Sequence, residues 1–197
     1  MRSLMYRSPK LYTLMLQTIH GKYLDQRYRE IASIVNNRRV FDVGCGHALL
    51  GEYVGKDRYA GMDLNQKFVL YARRNGYNCT VGDIFEEEFP TADVGVAVDV
   101  LHHITPKGGE IIDKMRKSFD EVIVVEPISS FNARIPNKII KIWDSFLGDA
   151  DGINTFESRW KWQYTPEELM EYMKLLGAYK GYVLGKDVVA IFSGKHH

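Results

Sequence analysis

The sequence predicts an α/β protein, an open and mostly parallel sheet with helices on both faces, and three stretches carry that prediction. The first is Val40-Phe41-Asp42-Val43-Gly44-Cys45-Gly46-His47-Ala48-Leu49-Leu50, which reads as a buried strand, a glycine turn and the start of a helix. The second is the alternation of strand-length apolar runs with helical segments over 38–127, the pattern of parallel strands joined by crossover helices. The third is a pair of apolar runs, 179–184 and 188–193, about Gly185-Lys186-Asp187, which reads as a terminal hairpin.

The glycine turn sets the chemistry. Gly44 and Gly46 stand where a missing Cβ lets a ligand lie against the backbone. The helix start that follows offers free N–H groups to that ligand. A dinucleotide turn wants a third glycine three residues after the second, and that position is Leu49. Asp42 stands just before the glycines; its carboxylate would repel a pyrophosphate and suits a ligand that carries positive charge. S-adenosylmethionine is such a ligand, with an ammonium, a sulfonium and no phosphate.

At these residues the chain resembles the class I S-adenosylmethionine-dependent methyltransferases, whose first motif is an acid followed by spaced glycines; Ala48 replaces the usual third glycine. The resemblance continues through Tyr59-Ala60-Gly61-Met62-Asp63-Leu64, similar to the second strand of that family, whose terminal acid accepts both ribose hydroxyls. Gly82-Asp83-Ile84-Phe85 is similar to the third-strand motif, whose acid and following N–H read the adenine edge. Residues 93–98 and 121–126 resemble the fourth and fifth strands, so the match covers about 38–127. The resemblance implies a Rossmann-like sheet of about seven strands with an antiparallel strand from the C-terminal hairpin. It implies S-adenosylmethionine as cofactor, held by Asp42, Gly44, Cys45, Gly46, Asp63, Leu64, Asp83, Ile84 and Asp99.

Taken in order, 8–36 reads as helix in two pieces hinged at Gly21, with Ser8 and Pro9 at its start. Leu11, Leu14, Met15 and Ile19, then Leu24, Tyr28, Ile31 and Val35, recur at helical spacing. In the resembling family such an arm (here 1–37) folds over the cofactor, which would bring Tyr12 and Tyr23 to the methyl donor. The competing reading is an amphipathic helix packed on the sheet. Asn65 caps a helix to Arg74 that Gly76 closes, and Thr105-Pro106 opens another to about Ser118. Glu86, Glu87 and Glu88 read as a solvated face, so no metal site is expected.

Residues 128–164 interrupt the alternation. Ile135, Ile139, Ile142, Trp143 and Phe146 mark an amphipathic helix, and Phe156, Trp160, Trp162 and Tyr164 crowd the stretch after it. An insertion after the fifth strand lies over the carboxyl ends of the strands, where ligands bind in open α/β sheets. It is read as a substrate cap, with Tyr12, Trp143 and Trp160 as acceptor contacts; the competing reading is a packing extension. Thr165-Pro166-Glu167-Glu168 is a capping box that starts the last helix, which ends near Gly177.

The whole chain sets bounds. Its 197 residues suit one domain with its own core, 1–197, and 45% hydrophobic with 26% charged residues is ordinary globular composition. A net charge of +1 gives no electrostatic footprint for nucleic acid, although Arg134, Lys138, Lys141, Arg159 and Lys161 leave a local basic face open. Cys45 and Cys79 have neither metal-site spacing nor the count of a disulfide framework, so a cytoplasmic home is expected. No apolar run approaches a membrane span, and the start lacks a signal-peptide core. The sequence does not indicate an oligomeric state.

Methyl transfer from a sulfonium asks the protein mainly to align nucleophile, carbon and sulfur. A base matters where the acceptor is a poor nucleophile at neutral pH. His102, with His103 second, is the candidate base, in the segment that lies beside the methyl group in the family. The competing reading has the pair capping the following helix. Asp99 is read as a contact to the methionine portion, or as exposed. The segment lacks the Asn-Pro-Pro-aromatic run of enzymes that methylate nucleobase amines. The expected function is therefore methyl transfer to a small or medium-sized acceptor, a lipid-like one included. RNA or protein methylation and a non-catalytic cofactor-binding module are the alternatives. A nicotinamide-dependent reductase is disfavoured: its Tyr182 and Lys186 pair lies in the terminal hairpin, and Leu49 breaks the fingerprint.

Overall fold

The computed structural model describes residues 8–128 and 161–194. Two helices come first among the described residues, α1 (Pro9–His20) and α2 (Lys22–Val35), and meet at Gly21, whose φ of 55° suits glycine. There follow β1 (Val40–Val43), a short α3 (Gly51–Val54), β2 (Tyr59–Asp63), α4 (Gln66–Arg74), β3 (Asn78–Val81) and β4 (Val94–Val98). The chain continues through α5 (Gly108–Ser118) and β5 (Glu121–Pro127), and closes with α6 (Pro166–Leu175), β6 (Lys180–Leu184) and β7 (Asp187–Ser193).

These strands form one seven-stranded sheet in the order β3-β2-β1-β4-β5-β7-β6. The first five are parallel, and β7 runs antiparallel between β5 and β6. This is a Rossmann-like, mostly parallel sheet closed by an antiparallel hairpin. From β1 the chain builds outward through β2 and β3, then returns to place β4 on the other side of β1. The carboxyl ends of β1 and β4 therefore flank a topological switch point, the place where such sheets bind ligands.

Helices bury both faces, which is why β5 reads as an unbroken apolar run. Val122 and Val124 join the core that packs against Ile111, Met115 and Leu169, whereas Ile123 and Val125 join the core against Ile31, Val35 and Val69. Asn65 caps α4 by accepting the Lys67 N–H, and Thr165 and Glu168 make both bonds of the capping box of α6.

Three local expectations are corrected. The helix expected directly after Gly46 is a series of turns over 47–50, and α3 holds four residues. Gly46 and Ala48 both have left-handed backbone, which leaves the helical path, and the Ala48 and Gly51 N–H groups bond to Cys45 O and Ala48 O. Helix α5 begins at Gly108, not at Pro106, because 105–107 form a turn tied back to Ile104 by the Lys107 N–H. Asp187 belongs to β7 and pairs with Leu184, so the hairpin turn is Gly185-Lys186 alone. The helix expected near 135–147, with Trp143, and the aromatic Trp160 lie outside the described residues. So does the basic face, apart from the exposed Lys161.

Gly95, in the centre of β4, allows the closest packing in the sheet. A Cβ there would lie 2.2 Å from Cδ2 of Phe119, a buried ring stacked with Phe41 and Phe89. Gly95→Ala should therefore destabilise the protein by about 1–3 kcal/mol, the usual cost of forcing a methyl into a filled core. Urea unfolding measures it, and an unchanged midpoint would mean that Phe119 moves freely.

Candidate functional site

Backbone hydrogen bonds dock the glycine turn on the end of β2. The N–H groups of Gly44 and Cys45 both donate to Met62 O at 2.9 Å, and the Gly46 N–H donates to Oδ2 of Asp63 at 2.8 Å. Oδ1 of Asp63 accepts the Asn65 N–H at 2.6 Å, so turn, strand end and helix cap share one carboxylate. Gly44 has a φ of 76°, and a Cβ on it would stand 2.7 Å from the Val100 side chain. Only glycine meets both conditions.

Beside the turn opens a cleft of about 880 Å³, part of it continuous with solvent. Gly44, Gly46, Asp63, Leu64, Asp83, Ile84 and Asp99 line it, together with Tyr12, Phe68 and His103. Asp42 and Cys45 do not. They face a smaller neighbouring cavity between the helical arm and the turn. Asp42 is 4% exposed and accepts the Tyr59 hydroxyl at 2.7 Å. Burial pushes its carboxyl up to about 7, against the pull of that hydrogen bond, so the permanently ionised acid expected here is a buried group titrating near neutrality. Cys45 packs against Gly61 and its Sγ donates to Gly46 O at 3.7 Å, and the neighbouring Cys79 thiol together with burial pushes its own thiol up. Its side chain belongs to the sheet packing.

At the far end of the cleft the 83–87 turn is built on Asp83. Its Oδ1 accepts the Phe85 N–H at 2.9 Å, and its carbonyl accepts the N–H groups of Glu86 and Glu87. The Ile84 N–H and Oδ2 of Asp83 take part in none of these bonds. A donor beside an acceptor is thus left at the cleft wall, the complement of the edge of adenine.

The arm covers the near end. Tyr12 meets His47 edge-on at 5.7 Å and tilts over Phe68 at 5.1 Å, while Thr13 Oγ1 lies 2.9 Å from His47 Nε2. Burial lowers the His47 imidazole to about 4, so it is neutral at physiological pH. Tyr23 is exposed and lies against Gly185 of the hairpin, away from the cleft.

Asp99 sits where β4 gives way to the histidines, with a φ of 57°. Both its oxygens pair with Arg27, at 3.1 and 2.8 Å, which overturns the reading of Asp99 as exposed. Arg27 is 1% exposed and also lies 3.4 Å from Asp187. Burial disfavours its charge, but Asp99 and Asp187 outweigh that and hold the guanidinium above its ordinary range.

The two histidines part company. His102 is buried, with Nδ1 2.7 Å from Oε2 of Glu126 and its ring 6.2 Å from that of Trp162; it does not line the cleft. His103 does, with its ring 4.1 Å from that of His102. Glu126 is fully buried, and its Oε1 also accepts the Val100 and Leu101 N–H groups at 2.7 and 2.6 Å.

Sequence reasoning passed over Arg27 and Glu126, although each left a signal. Arg27 falls inside the apolar stripe Leu24, Tyr28, Ile31, and Glu126 ends a run of four apolar residues. A charge in such a place must find a buried partner. Among the described residues, no group of three or more His, Cys, Asp or Glu side chains could hold a metal ion, and no helix is long and apolar enough to cross a membrane.

No protein-family model and no curated protein matches the chain. Solved structures do. One chain of the complex that contains the Haloferax volcanii Trm112 methyltransferase activator aligns over 100% of both chains at 10% identity, with a TM-score of 0.67. An S-adenosylmethionine-dependent methyltransferase of Thermotoga maritima aligns over 96% of this chain and 97% of its own, at 15% identity and a TM-score of 0.63. The 16S rRNA methyltransferase RmtF, in complex with S-adenosylhomocysteine, aligns over 93% of this chain at 13% identity and a TM-score of 0.59; this chain spans 65% of RmtF. The protein has the fold of the class I S-adenosylmethionine-dependent methyltransferases.

Replacing the buried acid tests its environment. A carboxyl raised from 3.8 to about 7 on folding binds its proton more tightly in the native state, so its contribution to stability falls as pH rises through that window. Asp42→Asn, which cannot ionise, should gain stability on wild type between about pH 4 and about pH 7 and keep the gain above. Urea unfolding across that range reads the difference; a pH-independent one would show that Asp42 is solvated.

Proposed function

We propose that the protein is an S-adenosylmethionine-dependent methyltransferase acting on a small or medium-sized acceptor. One observation carries the reading: the cleft at the switch point joins a left-handed glycine turn to two carboxylates, Asp63 and Asp83, from successive strand ends. These residues fit a nucleoside. Asp63 is held by the Gly46 and Asn65 N–H groups and keeps acceptor capacity for ribose hydroxyls. Asp83 and the Ile84 N–H meet the base, Leu64 and Phe68 supply apolar wall, and Gly44 and Gly46 admit the methionine portion. Asp99, which lines the cleft with both oxygens paired to Arg27, stands beside that portion, while Asp42 lies behind the turn under Tyr59. Bound here, S-adenosylmethionine supplies an electrophilic methyl group with its own leaving group.

The chain's part is then orientation and proton removal. The proton that the chain would have to take is the acceptor's, which calls for a base in the cleft. His103, at the cleft wall, takes that role; His102, tied to Glu126 behind it, fixes the segment that carries His103. The 128–164 stretch is the acceptor cap, with Tyr12, Trp143 and Trp160 as contacts. A small acceptor accords with the net charge of +1, which gives no overall electrostatic footprint for nucleic acid. The Thermotoga protein is named as a possible histamine N-methyltransferase and RmtF as an rRNA methyltransferase, so neighbours of this fold serve both acceptor classes. The two free thiols, Cys45 and Cys79, suit the reducing cytoplasm.

Calorimetric titration with S-adenosylhomocysteine tests the reading directly. Wild type should bind, and Asp63→Asn should bind more weakly by about 1.5–3 kcal/mol, the range for hydrogen bonds to a charged group. No binding by wild type, or equal binding by the variant, would refute the site. For a hydroxyl acceptor, His103→Ala should lower kcat by about a hundredfold or more with S-adenosylhomocysteine affinity unchanged. If His102→Ala alone has that effect, the base is His102.

A further inference from the structure

Lys114 stands on α5, outside the cleft, and makes no contact with its lining side chains in any of its hydrogen bonds. Its Nζ donates to three carbonyls of the turn that begins at Asp83: Ile84 O at 2.9 Å, Phe85 O at 3.1 Å and Glu87 O at 2.7 Å. An ammonium has three protons, and each is used. The same Nζ lies 4.8 Å from the centre of the Phe89 ring, a further electrostatic anchor.

We infer that Lys114 is a positioning residue that makes the cleft selective for adenine. The inference rests on the cofactor reading above and goes beyond it. The peptide unit between Ile84 and Phe85 is held at both ends, its carbonyl by Lys114 and its N–H by Oδ1 of Asp83. Through that rigid plane Lys114 sets how the Asp83 carboxylate is turned, and hence where its Oδ2 faces. The adjacent Ile84 N–H is fixed with it, because the Asp83 carbonyl is held by Glu86 and Glu87.

Adenine offers a donor at N6 beside an acceptor at N1, which matches an acceptor at Oδ2 and a donor at the Ile84 N–H. Hypoxanthine reverses both, with an acceptor at O6 and a donor at N1. Discrimination between the two bases therefore depends on how firmly this pair is aimed. Without Lys114 three carbonyls lose their donor and the turn is free to reorient.

The test measures dissociation constants for S-adenosylhomocysteine and S-inosylhomocysteine by calorimetry, on wild type and on Lys114→Met, with Lys114→Gln as a second variant should the first fail to fold. Lys114 is half-buried, so folded protein is expected from both, checked by thermal melting. The adenine nucleoside should bind about tenfold more weakly to the variants, while binding of the inosine analogue changes by less than about twofold, so the selectivity ratio falls about tenfold. A purely structural lysine would weaken both ligands alike and leave the ratio unchanged, which overturns the inference while the cofactor reading stands. Wild type that binds neither nucleoside overturns both.

Discussion

One buried carboxylate holds the histidine side of the cleft in place. Where β4 ends, the chain turns through a short 3-10 stretch, Leu101–His103, whose leading N–H groups have no partner within the turn itself. Glu126, at the end of the adjacent strand, accepts the N–H of Val100 and Leu101 and pairs with the His102 ring. A fully buried acid with that many donors is stable only where all of them converge. The histidine segment is thus drawn down onto β5. His102 is used up in the bond, His103 is left at the cleft, and Val100 is brought so close to Gly44 that no other residue fits there.

A second buried charge ties the arm to the same corner. Arg27 joins α2 to Asp99 at the end of β4 and to Asp187 at the start of β7. Its partner Asp99 is held in left-handed backbone, the kind of local cost that surrounding structure must offset. With Tyr12 and Thr13 of α1 packed against His47, the arm forms a wall of the cleft, and its position depends on a pair of carboxylates that come from distant parts of the chain. Burial pushes the Asp42 carboxyl up to about 7 and pushes that of Asp187 up as well, the latter against the opposing pull of Arg27.

Much of this was legible in the residues themselves. Short continuous apolar runs gave the strands, Asn65 and the Thr165–Glu168 box gave two helix starts, and Gly44 and Gly46 marked the turn, because each of these signals acts over a few residues of chain. Boundaries set by backbone hydrogen bonds were less legible: α3 is one turn long because Gly46 and Ala48 leave the helical path, and α5 waits until Gly108 because 105–107 bond backward. The roles of individual acids were least legible. Asp42 and Asp99 look alike in sequence, each an acid at a strand end, yet one is buried under Tyr59 and the other is clamped by an arginine seventy-two positions away.

The sequence alone determined an alternating α/β chain with a glycine turn after its first strand and acids at successive strand ends, since periodicity, glycine and strand-end charge are local properties. Only the tertiary structure decided which acids face the cleft, which of two adjacent histidines lines it, and that Lys114 reaches the turn after β3. Those outcomes depend on which long-range partner satisfies a buried charge or a spare carbonyl, and no spacing along the chain encodes that choice.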